Sequence, residues 1–322
     1  MADLANAHLV YALLREEQIA AEFSAALERK FLDEKFFYWL PPSVAAWCDL
    51  CSAPAYRNAN RALNLLRREA PRLAQIAQSA SAICGLGCGE GSKDEIILQA
   101  FAAQKRAGGY VAADFSQALI ERALDRCAAH AQKQIGVKLD VFLEEHLAQL
   151  AKLAQQNADG SIIYAVLGNT FAAFDPHGFP RRLWKIVRPT DWVLVDGEIF
   201  AGEETLAGYE HPDNRRFAFA PLAALGLEEG RDGALLFELH AGSDGVHEVV
   251  KYFEPARDLE IRYGGGEIHL PRGQRLRMSS SLKYDEPRFL ELAQANVFFL
   301  THFAKSDDGR FMLALLKPKS KS

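Results

Sequence analysis

The sequence predicts an α/β protein with a doubly wound parallel sheet and a ligand site at the carboxyl ends of its strands. Three observations support this. A glycine-rich loop at residues 85–91 follows an apolar strand, strands and helices alternate from there to about residue 199, and two apolar strands joined by a short polar turn lie near the carboxyl terminus.

The amino-terminal segment, residues 1–70, is predicted to be helical. Residues 3–30 carry apolar side chains at helical spacing on a charged background, which indicates one or two amphipathic helices. A dense aromatic stretch, residues 36–42, ends in two prolines, and a further helix is predicted at 59–68. The aromatic stretch either holds these helices to the main domain or contacts a ligand.

The loop that opens the alternating region contains glycines at every second position. These are Gly85, Gly87, Gly89 and Gly91. A backbone without Cβ atoms can turn tightly and let a cofactor lie against its N–H groups, and the helix that follows directs its positive end at that ligand. A flexible surface loop is the alternative, but it would need neither the apolar strand before it nor the periodic helix after it.

Residues 71–199 are predicted to form the cofactor-binding core. A strand at 110–114 ends in Asp114 about twenty residues after the loop, where a carboxylate can accept both hydroxyls of a ribose. The other predicted elements are helix 94–105, helix 116–132, strand 137–142, helix 143–156, strand 161–168, helix 179–187 and strand 192–197.

The glycine spacing distinguishes two nucleotide-type cofactors. A dinucleotide fingerprint needs glycines at i, i+2 and i+5, but the i+5 residue is Glu90 when counted from Gly85 and Ser92 when counted from Gly87. Alternating glycines instead suit S-adenosylmethionine, which brings no pyrophosphate to the helix. We therefore expect S-adenosylmethionine as the cofactor.

The carboxyl-terminal segment, residues 285–322, supports that expectation. Strands at 296–304 and 310–318 are predicted to form a closing antiparallel hairpin. Such a hairpin completes the seven-stranded, Rossmann-like sheet of class I methyltransferases.

An insertion at residues 200–284 does not follow the α/β alternation. Five β-strands are predicted, at 235–241, 247–253, 259–263, 267–270 and 274–281. We interpret the insertion as a β-rich substrate lobe; a structural insert and a dimerisation surface are the alternatives.

Composition limits the partners. The 322 residues carry a net charge of −5 and no basic stripe with interleaved aromatic residues, which argues against a nucleic-acid partner. Neither a cationic leader nor an apolar run of about 18 residues is present, so a cytoplasmic protein without a membrane partner is expected. Five cysteines indicate reduced thiols, and Cys48 with Cys51 lacks the second pair that a zinc site requires. No metal is predicted, and the sequence does not indicate an oligomeric state.

Short motifs in shared order resemble the histidine-specific methyltransferase family, which is S-adenosylmethionine-dependent and includes the enzyme that trimethylates histidine on the route to ergothioneine. The resemblance runs from about Phe31 to Pro318. Its motifs are Phe36–Tyr38, Pro54–Tyr56, the glycine loop with Lys93, Val111–Asp114, Leu167–Thr170, Gly208-Tyr209 and Ser279–Tyr284. The family's fold implies a class I core with a substrate lobe built from the amino-terminal segment and a late insertion.

The resemblance also implies roles for individual residues. Lys93 would lie near the cofactor's carboxylate and Asp114 on its ribose. The implied cofactor-binding residues are Gly85, Gly87, Gly89, Lys93, Asp114, Phe115, Phe142, Leu167 and Gly168. The implied substrate-binding residues are Tyr38, Tyr56, Thr170, Ala173, Tyr209, Ser279 and Ser281.

Four positions depart from the family's pattern. Gly85 stands where the family has an acidic residue, and Phe142 is near the position of an aspartate that reads the adenine amino group. Ala173 replaces an asparagine that would hold the substrate's α-amino group, and Ser279 replaces a glutamate that would hold its imidazole. Losing a buried polar partner costs about 1–3 kcal/mol, so the last two changes argue against histidine as the substrate.

The expected activity is methyl transfer from S-adenosylmethionine to a small amino-acid-like or natural-product molecule, by in-line displacement. Glu198, Tyr209 and His211 are the candidate catalytic residues for removing a proton from the acceptor, and the sequence does not choose among them. The alternatives are a histidine N-alpha-methyltransferase with altered contacts and a catalytically inactive subunit that binds S-adenosylmethionine.

Overall fold

The computed structural model describes residues 8–106, 108–264 and 266–321. The strands are β1 (Val10–Ala12), β2 (Ala80–Leu86), β3 (Gly108–Asp114), β4 (Ala131–Lys138), β5 (Ser161–Val166), β6 (Trp192–Glu198), β7 (Gly233–His240), β8 (Val246–Pro255), β9 (Leu259–Tyr263), β10 (Gly266–Leu270), β11 (Leu276–Tyr284), β12 (Phe298–Lys305) and β13 (Phe311–Pro318). The α-helices are α1 (Glu16–Glu28), α2 (Pro41–Ser52), α3 (Arg57–Ile76), α4 (Ser92–Ala103), α5 (Gln117–Cys127), α6 (Glu144–Gln156), α7 (Phe179–Ile186), α8 (Glu203–Glu210), α9 (Pro212–Ala223) and α10 (Glu286–Gln294). Two 3-10 helices span Glu34–Tyr38 and Thr170–Ala173.

The described chain divides into two compact units. Residues 8–13, 60–198 and 286–321 belong to unit 1, and residues 14–59 and 199–285 belong to unit 2. Helix α3 therefore begins in unit 2 and continues in unit 1.

Unit 1 is built on one sheet with the strand order β1-β4-β3-β2-β5-β6-β13-β12. Strand β13 runs antiparallel to both of its neighbours, β6 and β12, while β4, β3, β2, β5 and β6 pair in parallel. The strands β3, β5 and β6 are buried at every residue, as expected for parallel strands covered on both faces. The α/β class I methyltransferase fold and its closing hairpin are therefore confirmed.

An additional edge strand extends the expected seven-stranded sheet to eight strands among the described residues. Residues 10–12, which the sequence placed in a helix, pair in parallel with Gly136–Lys138 of β4. Gly136 leaves room for this pairing, since a Cβ there would lie 3.0 Å from Cγ2 of Val10. An apolar run of three residues is too short for its period to separate strand from helix. Residues 3–7 of that predicted helix lie outside the described residues.

Unit 2 contains a three-stranded antiparallel sheet, in the order β11-β8-β7, and the hairpin of β9 and β10. These strands agree with those predicted in the insertion. Helices α8 and α9, which the sequence did not predict, precede them. Helix α9 buries residues on most of its faces, so its sequence shows no clear apolar stripe. Pro212 at its first position was the available signal for a helix start.

Within residues 8–106, 108–264 and 266–321, no helix has both the length and the apolar character needed to cross a bilayer. The same ranges contain no cluster of three His, Cys, Asp or Glu side chains arranged to hold a metal ion.

Candidate active site

The glycine loop connects β2 to α4 in unit 1. Gly87, Gly89 and Gly91 have φ angles of +66°, +54° and +82°, in the left-handed region that favours glycine. A Cβ on Gly87 would lie 2.9 Å from Cγ2 of Thr170, and one on Gly91 would lie 2.8 Å from Cα of Ala123. The loop therefore needs glycine for its backbone and for its close neighbours.

Asp114 ends β3 and holds the glycine loop by hydrogen bonds to the main chain. Its Oδ2 accepts the Gly89 N–H at 3.0 Å, and its Oδ1 accepts the Ser116 N–H at 2.9 Å. Burial raises the pKa of this carboxyl, and the main-chain donors, including Phe115, oppose that shift. The predicted acidic residue thus lies directly against the predicted loop.

The segment after β5 lies beside α4. Gly168 has a φ of +85°, and a Cβ there would lie 2.9 Å from Nζ of Lys93. Asp196 of β6 accepts the Gly168 N–H at 2.8 Å and the Asn169 N–H at 2.7 Å, and burial raises its pKa to about 6. The family resemblance predicted Lys93, Leu167 and Gly168 as site residues but not Asp196. The available signal for Asp196 was its position directly after the apolar run at 192–195.

Asp94 occupies the space that a side chain at Gly85 would need. A Cβ on Gly85 would lie 2.3 Å from Oδ2 of Asp94. The same oxygen accepts the hydroxyl of Tyr110 at 2.7 Å. Burial raises the pKa of Asp94 to about 7. A carboxylate from the first turn of α4 thus lies beside position 85, where the resemblance implies an acid.

A further buried carboxylate, that of Asp140, lies just beyond β4. Oδ1 of Asp140 accepts the N–H of Phe142 at 2.8 Å, and the Asp140 N–H donates to Nδ1 of His146 at 3.1 Å. Phe142 itself is 39% exposed and meets Phe174 edge-on at 5.3 Å between ring centroids. Because β4 ends at Lys138 rather than near 142, Asp140 lies at the strand's carboxyl end, where the sequence reading had found no aspartate.

Of the predicted substrate residues, two belong to unit 1. The side chain of Thr170 packs against Gly87 of the glycine loop, and its hydroxyl donates to the carbonyl of Leu167 at 2.7 Å. Ala173 ends the 3-10 helix that Thr170 begins. Glu198, a catalytic candidate, closes β6 in the same unit and donates its N–H to Oδ1 of Asn169 at 3.1 Å.

Unit 2 gathers the predicted tyrosines with other aromatic rings. The ring centroid of Tyr38 lies 5.2 Å from that of Trp47 and 5.5 Å from that of Phe217. The ring centroids of Trp47 and Tyr56 are 6.4 Å apart. Burial, together with the nearby Glu34, raises the pKa of Tyr38. Tyr38 is therefore a neutral hydroxyl donor at physiological pH.

Ser279 lies at a β-bulge in β11, with a φ of +69°. Its hydroxyl donates to Oε2 of Glu34, the same oxygen that Lys251 approaches at 2.9 Å. The Tyr38 hydroxyl donates to Oε1 of Glu34 at 3.2 Å. Sequence analysis singled out Ser279 and Tyr38 but missed Glu34, which the 3-10 helix Glu34–Tyr38 brings to them, and Lys251.

Ser281 and Tyr209 both lie beside Lys283 in unit 2. Nζ of Lys283 donates to the Ser281 hydroxyl at 3.0 Å and lies 5.3 Å from the ring centroid of Tyr209. Tyr209 in turn lies 5.9 Å from Phe237 of β7. The remaining catalytic candidate, His211, caps α9 by accepting the Asp213 N–H at 3.4 Å, and its side chain is 45% exposed.

Residues 16–318 match the family described as histidine-specific methyltransferase, SAM-dependent. The chain belongs to this family. This member of the histidine-specific methyltransferases is therefore an enzyme that uses S-adenosylmethionine. The matched range includes segments of both units.

Individual relatives of this family member are distant. The N-methyltransferase dtpB of Aspergillus flavus is 24% identical over 301 residues, covering 87% of this chain and 83% of that protein. A putative methyltransferase from Thermobifida fusca aligns in structure with a TM-score of 0.47, 11% identity and coverage of 91% of this chain and 97% of the other. The 1,6-didemethyltoxoflavin-N1-methyltransferase of Burkholderia thailandensis, solved with S-adenosylhomocysteine, aligns with a TM-score of 0.44 and 10% identity. The alignment covers 94% of this chain and 91% of the other.

The residues of unit 1 fit the cofactor of this methyltransferase family. The loop offers close approach to main-chain N–H groups, Lys93 offers a cation for a carboxylate, and Asp114 and Asp140 offer acceptors for hydroxyl and amino donors. Bound S-adenosylmethionine supplies a methyl group already activated by a positively charged sulfur, so the protein's task is to align the acceptor and exclude water.

Proposed function

We propose that the enzyme transfers a methyl group to a nitrogen of a small amino-acid-like or natural-product molecule other than histidine. The arrangement around Ser279 carries this proposal. The carboxylate in this part of unit 2 comes from Glu34 and already holds Lys251, so it is not a bare anion for an imidazole. Ala173, where the resemblance implies an asparagine, likewise offers no amide to an α-amino group. The name of the fungal relative supports nitrogen as the methylated atom.

In this proposal the two units have separate tasks. The glycine loop, Lys93, Asp114, Asp140 and Gly168 of unit 1 bind S-adenosylmethionine. The aromatic and polar groups of unit 2, including Tyr38, Tyr56, Tyr209 and Ser281, bind the acceptor. The five cysteines are free, which supports the expected cytoplasmic location.

A protonated amine must lose a proton before it can attack the methyl group. Tyr209 and Glu198 remain our candidates for that step. Tyr209 is one of the groups that the proposal assigns to the acceptor, and the Glu198 N–H donates to Asn169, the residue after Gly168 of the cofactor site. His211 is the weakest of the three candidates because its ring nitrogen accepts a main-chain N–H at the start of α9.

The test is a transfer assay with isotopically labelled S-adenosylmethionine. Amino acids, dipeptides and small amines are offered separately, and labelled products are found by mass spectrometry. We expect label on the nitrogen of at least one acceptor and much slower transfer to histidine. Efficient N-alpha methylation of histidine would contradict the proposed substrate class, and transfer to none of these compounds would contradict the proposed function.

A further inference from the structure

Unit 2 contains a buried ion pair beside two of the predicted substrate residues. Nζ of Lys251 lies 2.9 Å from Oε2 of Glu34, with 4% and 17% of the two side chains exposed. Charges removed from water are stable only when they are paired and hydrogen-bonded. The pair therefore places a neutralised carboxylate at this position.

The carboxylate of Glu34 is also oriented by hydrogen bonds. Oε2 accepts the hydroxyl of Ser279, and Oε1 accepts that of Tyr38 at 3.2 Å. Lys251 lies over the ring of Phe37, 4.3 Å from its centroid. Ser279, Tyr38 and Lys251 thus all donate to the carboxylate of Glu34. The position of Lys251 is in turn restricted by the ring of Phe37.

We propose that the Glu34–Lys251 ion pair determines the specificity of the acceptor site, excluding a cationic side group and selecting an amino-acid-like amine with an uncharged one. This inference rests on the proposed function, and it names the substrate class of the same site. A cation that approached Glu34 would also approach Lys251, and like charges within about 4–6 Å disfavour each other.

The neighbouring surface suits an uncharged group. The rings of Trp47 and Phe217 lie within 5.5 Å of Tyr38, which itself donates to Glu34. Aromatic faces of this kind contact apolar and aromatic groups over a large area.

Two variants with opposite effects on charge test the proposal. Affinities of the 322-residue protein, saturated with S-adenosylhomocysteine, are measured by calorimetry for L-phenylalanine, L-histidine and L-glutamate at about pH 5.5, where most of the imidazole is protonated. We expect the native protein to bind phenylalanine at least roughly tenfold more tightly than histidine. Lys251→Met exposes the negative charge and should improve histidine binding by about tenfold, while Glu34→Gln exposes the positive charge and should improve glutamate binding by a similar factor.

Lys35→Met is the matched control. It removes the lysine of another ion pair, with Glu22 at 2.5 Å, from the same 3-10 helix, and it should leave the order of affinities unchanged. Thermal unfolding verifies that each variant is folded. If Lys251→Met does not fold, Glu34→Gln still decides, because a carboxylate probe must then gain affinity.

The proposal is overturned if histidine binds best to the native protein, if the order of affinities is the same in the folded variants, or if none of the three probes binds. The transfer assay separates this failure from failure of the proposed function. An unchanged order of affinities with continued methyl transfer would remove the specificity role alone, whereas absence of transfer to every acceptor would remove the proposed function.

Discussion

Three carboxylates lie near positions where the family resemblance implies an acid and the sequence has another residue. Gly85, Phe142 and Ser279 lack the acid that the family resemblance assigns to each position or its vicinity. Asp94 fills the space over Gly85, Asp140 lies two residues before Phe142, and Glu34 accepts the hydroxyl of Ser279. A carboxylate of another residue therefore lies near each of these positions. Motif positions did not reveal this because two of the carboxylates come from different elements of the fold.

The relation between Gly85 and Asp94 predicts strong coupling between these residues. Gly85→Ala places a Cβ 2.3 Å from the present position of Oδ2 of Asp94, so the carboxylate must move away from Tyr110. We expect a loss of about 1–3 kcal/mol in the free energy of unfolding, as measured by chemical denaturation. In the Asp94→Ala background the same substitution should cost at least about 1 kcal/mol less.

Gly208→Ala is the matched control for that cycle. Gly208 is in helix α8. Apart from its chain neighbours and the nearby helix backbone, no atom of the described residues would lie within 4 Å of a Cβ there, so alanine should be neutral or stabilising by up to about 1 kcal/mol. An equal cost of Gly85→Ala in both backgrounds would show that Asp94 is not the group that requires glycine at position 85.

At the scale of elements, the sequence predicted the parts whose pattern is local. The glycine loop, the strand ending in Asp114 and the closing hairpin are confirmed, because each depends on a short run of neighbouring residues. Helix α9 was missed because it is buried on many faces, and strand β1 because it has only three residues. Helix α8 was missed because Thr205 is its one buried residue, which leaves no apolar stripe. The boundary of β4 was placed too late, and that shift alone hid Asp140 at the strand's end.

Helix α9 provides a test of one catalytic candidate. The ring of His211 accepts the Asp213 N–H at 3.4 Å, and asparagine is an equally good residue at the start of a helix. We therefore expect His211→Asn to keep the thermal midpoint and to keep the methyl-transfer rate within about twofold, whereas His211→Ala should cost about 1 kcal/mol of stability. A stable His211→Asn protein that loses most of its turnover would instead identify His211 as catalytic.

At the scale of the whole molecule, the family match over residues 16–318 and the class I sheet agree on an enzyme that uses S-adenosylmethionine. The sequence predicted this family because its short motifs occur in the same order as the family's motifs. Ala173 and the Glu34–Lys251 pair favour an acceptor other than histidine. The cofactor-binding groups of unit 1 are therefore the part of the proposal on which the rest depends.

The most direct test of that dependence is calorimetric titration with S-adenosylhomocysteine. We predict that the native protein binds it, and that Asp114→Asn and Asp140→Asn each weaken binding by roughly tenfold or more, because a charged acceptor is lost from the site. Asp159→Asn is the control, since this aspartate of unit 1 is 82% exposed and pairs with Lys133 at 3.5 Å. No binding by the folded native protein at millimolar concentration, or equal affinity in all four proteins, would contradict the account.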